Sequence, residues 1–233
     1  MNTKNMRVLG AFALCTFAEL LGEITGDRQW ILYSKPLLMP LLGVWLFLET
    51  RHFAPQFRNI MLLGLVFATL GDTLLLFSSG PAGGIYFLLG LGAFLCMQLC
   101  YIAFFTRFAG FKEGYLKQKP LHFAAYLAYL AVLLLLLWPG IPAPMKIPVA
   151  IYAAVLTTMG LSAHNLRGTI SGDAAMMTFY GSLLFIASDS ILAINKFGLA
   201  FDDANIGIMV TYIAGQWLIV SGAAVLVKER KEE

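Results

Sequence analysis

Apolar residues run along this chain in eight long blocks, parted by short stretches of charge, proline and glycine. A helix needs about 20 mostly apolar residues to cross the hydrocarbon core of a bilayer. The blocks predict spanning helices at Val8–Ile24, Pro36–Leu48, Asn59–Phe77, Gly84–Phe105, Phe123–Trp138, Ile147–Leu166, Ala174–Ile194 and Ile206–Val227. The second block is short and opens on a proline, which suits a first helical position because its missing N–H has no intrahelical partner there. Pro40 follows one turn later and predicts a bend or a late start. Ser79-Gly80-Pro81 and Pro139-Gly140-Ile141-Pro142-Ala143-Pro144 read as loops. The first block, with Lys4 and Arg7 before it, has the outline of a secretory signal, but Glu19 and Glu23 at its end argue for a first spanning helix. The expected fold class is all-α, a polytopic membrane bundle of eight helices forming a single domain over residues 1–233.

Composition agrees. The chain is 59% hydrophobic and 12% charged, against about 25% charged in a soluble domain, so little mass lies outside the membrane. A net charge of +3, carried mostly at block ends, does not point to nucleic acid. Cys15, Cys96 and Cys100 all sit in apolar runs and read as small buried hydrophobes. With the N-terminus cytoplasmic, twelve of the 16 Lys and Arg fall inside: Lys4, Arg7, Arg51, Arg58, Arg107, Lys112, Lys117, Lys119, Arg167, Lys228, Arg230 and Lys231. Arg28, Lys35, Lys146 and Lys196 fall outside. That bias supports eight spans with both termini cytoplasmic. Short loops and the lack of an Asn-x-Ser/Thr sequon fit a bacterial inner membrane.

Two aspartates stand inside the apolar blocks with matching surroundings. One lies in Gly71-Asp72-Thr73-Leu74-Leu75-Leu76, the other in Ser188-Asp189-Ser190-Ile191-Leu192-Ala193. Each has a small residue before it, a hydroxyl after it and an apolar run beyond. A carboxyl at bilayer depth costs a few kcal/mol or more, so an intramembrane acid is a functional hypothesis by default. Asp189 follows Asp72 by 117 residues and Gln216 follows Gln98 by 118, which hints at a weak four-plus-four internal repeat. In the expected topology both aspartates, Glu19, Lys35, Asn195, Lys196 and Tyr212 fall near the outer ends of their helices. Ser182, Asp189 and Lys196 recur every seven residues on one face, and Tyr212 and Gln216 form an i, i+4 pair. Plainer roles exist beside these: aspartates bonding hydroxyls across helices, Lys35 snorkelling to the interface, Gln216 and Tyr212 joining helices. His52, His122 and His164 share no ligand spacing, and no metal site is expected.

Two carboxyls in one pocket of low dielectric do not both ionise easily; one serves as an acid while the other, anionic, acts as base or steadies a cation. That division of labour suits hydrolysis of an acid-labile bond through an oxocarbenium-like centre, as in glycosides or vinyl ethers. The same pair could carry protons or bind a cation in a coupled small-molecule transporter. A non-catalytic lipid-binding protein is a third reading. The residues alone leave these open.

The chain resembles the YhhN family of membrane proteins, which includes the animal lysoplasmalogenases. The resemblance is carried by Ser34-Lys35-Pro36-Leu37, the Asp72 tag, Gly92-Ala93-Phe94 with Tyr101, Gly181-Ser182-Leu183-Leu184-Phe185, Ser188-Asp189-Ser190, Asn195-Lys196-Phe197, and Tyr212 with Gln216. Family members often carry a His where this chain has Gln98, so no role is transferred there. The resemblance implies hydrolysis of the vinyl ether bond of a lysophospholipid, with Asp72 and Asp189 as the catalytic pair and no cofactor. Within that reading Lys35 is the expected phosphate contact, and Asn195, Tyr212, Gln216 and Ser182 are expected to hold the head group or the water. The expected partners are the lysophospholipid, water and membrane lipids, with no nucleic acid.

Overall fold

The structure is a computed structural model and describes residues 3–79, 82–110, 114–168 and 172–230. Gly80 and Pro81 of one expected loop, and Lys112 and Lys231 of the expected inner charges, lie outside the described residues.

Among the described residues nine α-helices follow in order: α1 Thr3–Thr25, α2 Arg28–Thr50, α3 Pro55–Leu75, α4 Gly83–Phe105, the short α5 Tyr115–Gln118, α6 Pro120–Leu137, α7 Lys146–Asn165, α8 Gly172–Phe197 and α9 Ala204–Glu229. A 3-10 turn at Ala143–Met145 precedes α7. No strand occurs among the described residues. Eight of the helices are long and apolar enough to cross a membrane, and they coincide with the eight expected blocks. The all-helical membrane architecture is therefore the observed one.

The second span differs from its expectation. It begins at Arg28, eight residues before Pro36, because the Asp27 carboxylate accepts the backbone N–H of Gln29 at 2.9 Å and caps the helix. Pro36 and Pro40 lie inside the helix rather than at its start. Interior prolines are tolerated in membrane helices because neighbouring groups re-satisfy the freed carbonyls. The polar opening of α2 hid it from a reading based on apolar runs. In consequence Lys35 sits about two turns into the helix rather than at its mouth.

The chain divides into two compact units. The first comprises Met1–Tyr101 with Ala223–Glu233; the second comprises Ile102–Gly222. In the first unit α1 and α2 form an antiparallel hairpin. Gly22 makes it tight: a Cβ there would lie 2.8 Å from Trp30 Cβ and 2.9 Å from Ile31 Cγ1. At the far end of this hairpin Glu49 accepts from Asn5 and pairs with Lys228 of the α9 terminus. Helices α3 and α4 pack as closely, with the Phe94 ring against Gly71, where a Cβ would meet it at 2.7 Å. In the second unit Asn165, fully buried at the end of α7, accepts from Leu116 N–H at 3.1 Å and donates to the Gly110 carbonyl at 3.0 Å. That side chain fastens α5, which the apolar pattern did not foresee, to α7.

Candidate active site

In the first unit the close approach at Gly22 sets the residues one turn away opposite one another. Glu19, completely buried, faces Ser34 and Lys35. The Ser34 hydroxyl lies 2.6 Å from Glu19 Oε2 and 2.7 Å from the Trp30 carbonyl, so its one proton has two acceptors. Lys35 Nζ stands 3.9 Å from Glu19 Oε1 and keeps only 15% side-chain exposure. The sequence placed Glu19 and Lys35 at one level; the structure brings them together as a long ion pair, with the Ser34 hydroxyl as the carboxyl's hydrogen-bond partner. Glu23, one turn later, is half-buried, and Tyr33, at 76% exposure, faces outward from α2.

Asp72 is 2% exposed in α3, next to the Gly71 contact with Phe94. The hydroxyls around it are committed to their own helix: Thr73 donates to the Thr69 carbonyl and Thr69 to the Leu65 carbonyl, each at 2.8 Å. Such back-bonding silences a hydroxyl donor. Thr69 also borders an apolar groove of about 450 Å³ between α2 and α3, lined by Pro40, Val44, Phe47, Leu62 and Val66 among others.

Asp189 lies in the second unit, half-buried in α8. The Tyr152 phenol of α7 donates to its Oδ2 at 2.5 Å, a charge-assisted geometry at the short end for O–H···O contacts. Ser190, the hydroxyl of this tag, donates back to the Ile186 carbonyl at 2.6 Å and thus accepts from Tyr129 at 2.7 Å. Ser188 donates to the Ile208 carbonyl of α9 at 2.9 Å. Neither Tyr152 nor Tyr129 was singled out from the sequence. The signal was present all the same, since a phenol inside an apolar span needs a hydrogen-bond partner.

The other expected residues of this unit lie as follows. Ser182 is fully buried and donates to the Phe179 carbonyl at 2.7 Å. Asn195 accepts the Phe201 N–H at 3.2 Å and secures the chain after α8. Tyr212 is 3% exposed, its ring 5.9 Å from that of Phe185, and Gln216 is fully buried. Lys196 is exposed at the end of α8. In the first unit Gln98 is fully buried. Of the histidines, His52 is exposed, whereas His122 and His164 come together with ring centroids 5.1 Å apart. Among the described residues no group of three or more His, Cys, Asp or Glu is placed to hold a metal ion.

Eight membrane-length helices with ionisable side chains held inside them define an integral membrane protein with polar sites in its spans. The chain belongs to the YhhN family, whose profile matches residues 30–223. It is 31% identical over 185 residues to human "Lysoplasmalogenase TMEM86B", covering 79% of this chain and 72% of that protein. It is 28% identical over 194 residues to "Lysoplasmalogenase TMEM86A" of Bos taurus, covering 79% and 75%. With "Lysoplasmalogenase" of Mycobacterium bovis it shares 28% identity over 201 residues, covering 86% and 72%. No solved structure matches the chain.

Proposed function

We propose that this protein is a lysoplasmalogenase, a hydrolase that cleaves the vinyl ether bond of a lysophospholipid to a fatty aldehyde and glycerophosphocholine or glycerophosphoethanolamine. The observation that carries the reading is the family match over residues 30–223, which includes both tagged aspartates, together with mammalian and mycobacterial relatives that all bear the name.

Asp72 and Asp189 carry the acid–base work in this reading. One carboxyl protonates the vinyl carbon remote from oxygen and leaves an oxocarbenium-like cation; the other accepts a proton from the water that adds to it. The hemiacetal then collapses to aldehyde and glycerol alcohol. In that collapse the newly protonated carboxyl gives its proton to the glycerol oxygen while the other takes the hemiacetal hydroxyl proton, so one water is consumed and the pair ends as it began, one carboxyl protonated and one anionic. Tyr152 holds one oxygen of Asp189 and turns the other toward its work. Lys35 contributes to phosphate binding while Glu19 anchors its ammonium. Ser182, Asn195, Tyr212 and Gln216 serve head group and water. The apolar groove beside Thr69 suits the single hydrocarbon chain.

The test is purified protein in detergent given a lysoplasmalogen and, separately, the matching acyl lysophospholipid, with aldehyde and fatty acid both measured. Aldehyde from the vinyl ether lipid alone supports the reading. No product from either lipid, in folded protein, overturns it and turns attention to substrate flux in sealed vesicles.

A further inference from the structure

The second unit holds another polar cluster, at the opposite end of the α7–α8 pair from Asp189. The two helices run antiparallel: Tyr152 meets Asp189, Gly160 meets Ile186, and His164 meets Phe179. His164 lies twelve residues beyond Tyr152, which is about 18 Å along the helix. Around it gather His122 from the start of α6, Tyr126 one turn further, Tyr115 of α5, Phe179 of α8 and Arg167 just after α7. His122 and His164 sit at the ends of their helices and Arg167 just past one, while Tyr126 and Phe179 lie about two turns in.

The hydrogen bonding of this cluster does not close. The Arg167 guanidinium is sandwiched between the rings of Tyr115 and Phe179, at 4.9 and 5.0 Å from their centroids, and Nη1 faces His164 Nε2 at 3.4 Å. A guanidinium has only donors, so Nε2 must present its lone pair and the ring proton sits on Nδ1. That N–H is buried in a residue only 3% exposed, with no acceptor. The Tyr126 hydroxyl, in a residue 9% exposed, and His122 Nδ1 are likewise buried without partners. In this part of the chain Arg107, Lys117, Lys119 and Arg167 carry positive charge against Glu113, outside the described residues, and Asp173 in the first turn of α8. The cluster therefore has surplus donors and surplus positive charge. A water could bridge two orphaned atoms, but it leaves the guanidinium uncompensated. A ligand that matches both needs several acceptor oxygens and a negative charge.

We propose that Arg167, His164 and Tyr126 form a binding site for a phosphate group, brought by a phospholipid headgroup or by a soluble phosphate ester. It is separate from the carboxyl chemistry and independent of the reaction proposed above. The pinned guanidinium supplies the charge, the two orphaned donors supply direction, and His122 closes one side.

Isothermal titration calorimetry on the full chain in detergent tests this with dihexanoyl-phosphatidylglycerol, inorganic phosphate and phosphate-free dihexanoylglycerol as probes. The expected result is saturable binding of a phosphate-bearing probe and none of dihexanoylglycerol. Arg167→Gln and Tyr126→Phe each weaken that binding roughly tenfold, as expected for hydrogen bonds to a charged group. Binding of phosphatidylglycerol without inorganic phosphate assigns the site to a lipid headgroup; comparable binding of inorganic phosphate assigns it to a soluble ester. No saturable binding of either probe, or equal binding in the variants, overturns the proposal. Should Arg167→Gln fail to fold, Tyr126→Phe, which removes one hydroxyl and keeps the ring, decides alone.

Discussion

Asp72 and Asp189 carry nearly the same sequence tag and live among different neighbours. In both, the hydroxyl that follows the acid bonds back to a carbonyl four residues earlier, Thr73 to Thr69 and Ser190 to Ile186. The residues just before the two acids differ. The residue before Asp72 is a glycine with an aromatic ring laid on it; the residue before Asp189 is a serine bound to the next helix. Asp72 is 2% exposed, while Asp189 is half-buried and gripped by a phenol. A repeated tag thus sets the local helix geometry, whereas the tertiary partners decide what each carboxyl can do. A phenol holds a carboxyl in place without cancelling its charge. The contrast with Glu19 is instructive, because that acid is fully buried and faces an ammonium.

The largest effects expected are from the acids themselves. Asp72→Asn and Asp189→Asn each lower aldehyde formation by on the order of 10²–10⁴-fold, the range of general acid–base catalysis, with folding intact by circular dichroism. Near-normal turnover in either variant removes that aspartate from the chemistry. Next comes Tyr152→Phe. Losing one hydrogen bond to a charged group lowers kcat about tenfold with KM little changed, and this loss belongs to Asp189 alone. A rise in KM with kcat preserved would make the phenol a substrate contact instead. Lys35→Ala raises KM about tenfold by removing ground-state binding, and a collapse of kcat at constant KM would move Lys35 into the reaction. The smallest effect compares the tags directly. Ser190→Ala strands the Tyr129 hydroxyl and costs about 1 kcal/mol, seen as a lower Tm, whereas Thr73→Ala removes only a back-bond and stays within about 0.5 kcal/mol. Equal shifts would mean that the Tyr129 contact adds nothing.

The spans were legible because bilayer crossing imposes a length and a composition that twenty residues in a row cannot disguise. Asp72 and Asp189 were legible because an ionisable group is conspicuous there. What lay hidden depends on who meets whom. Arg28–Ser34 is too polar to register as membrane helix, so the start of α2 and the true depth of Lys35 were missed. Tyr152 looks like one more aromatic in α7 until α8 is set beside it. His122 and His164 stand 42 residues apart and share no spacing rule, yet the packing of the start of α6 against the end of α7 brings their rings together, tilted at 52°.

The Glu19–Lys35 pair has a consequence for how the chain reaches its membrane. The two charges belong to consecutive helices joined by a turn of two residues, Gly26 and Asp27. Neither has to enter the lipid alone or wait for distant parts of the chain to be synthesised. The first hairpin can leave the insertion machinery as one electrically balanced piece, ready to receive the helices that follow.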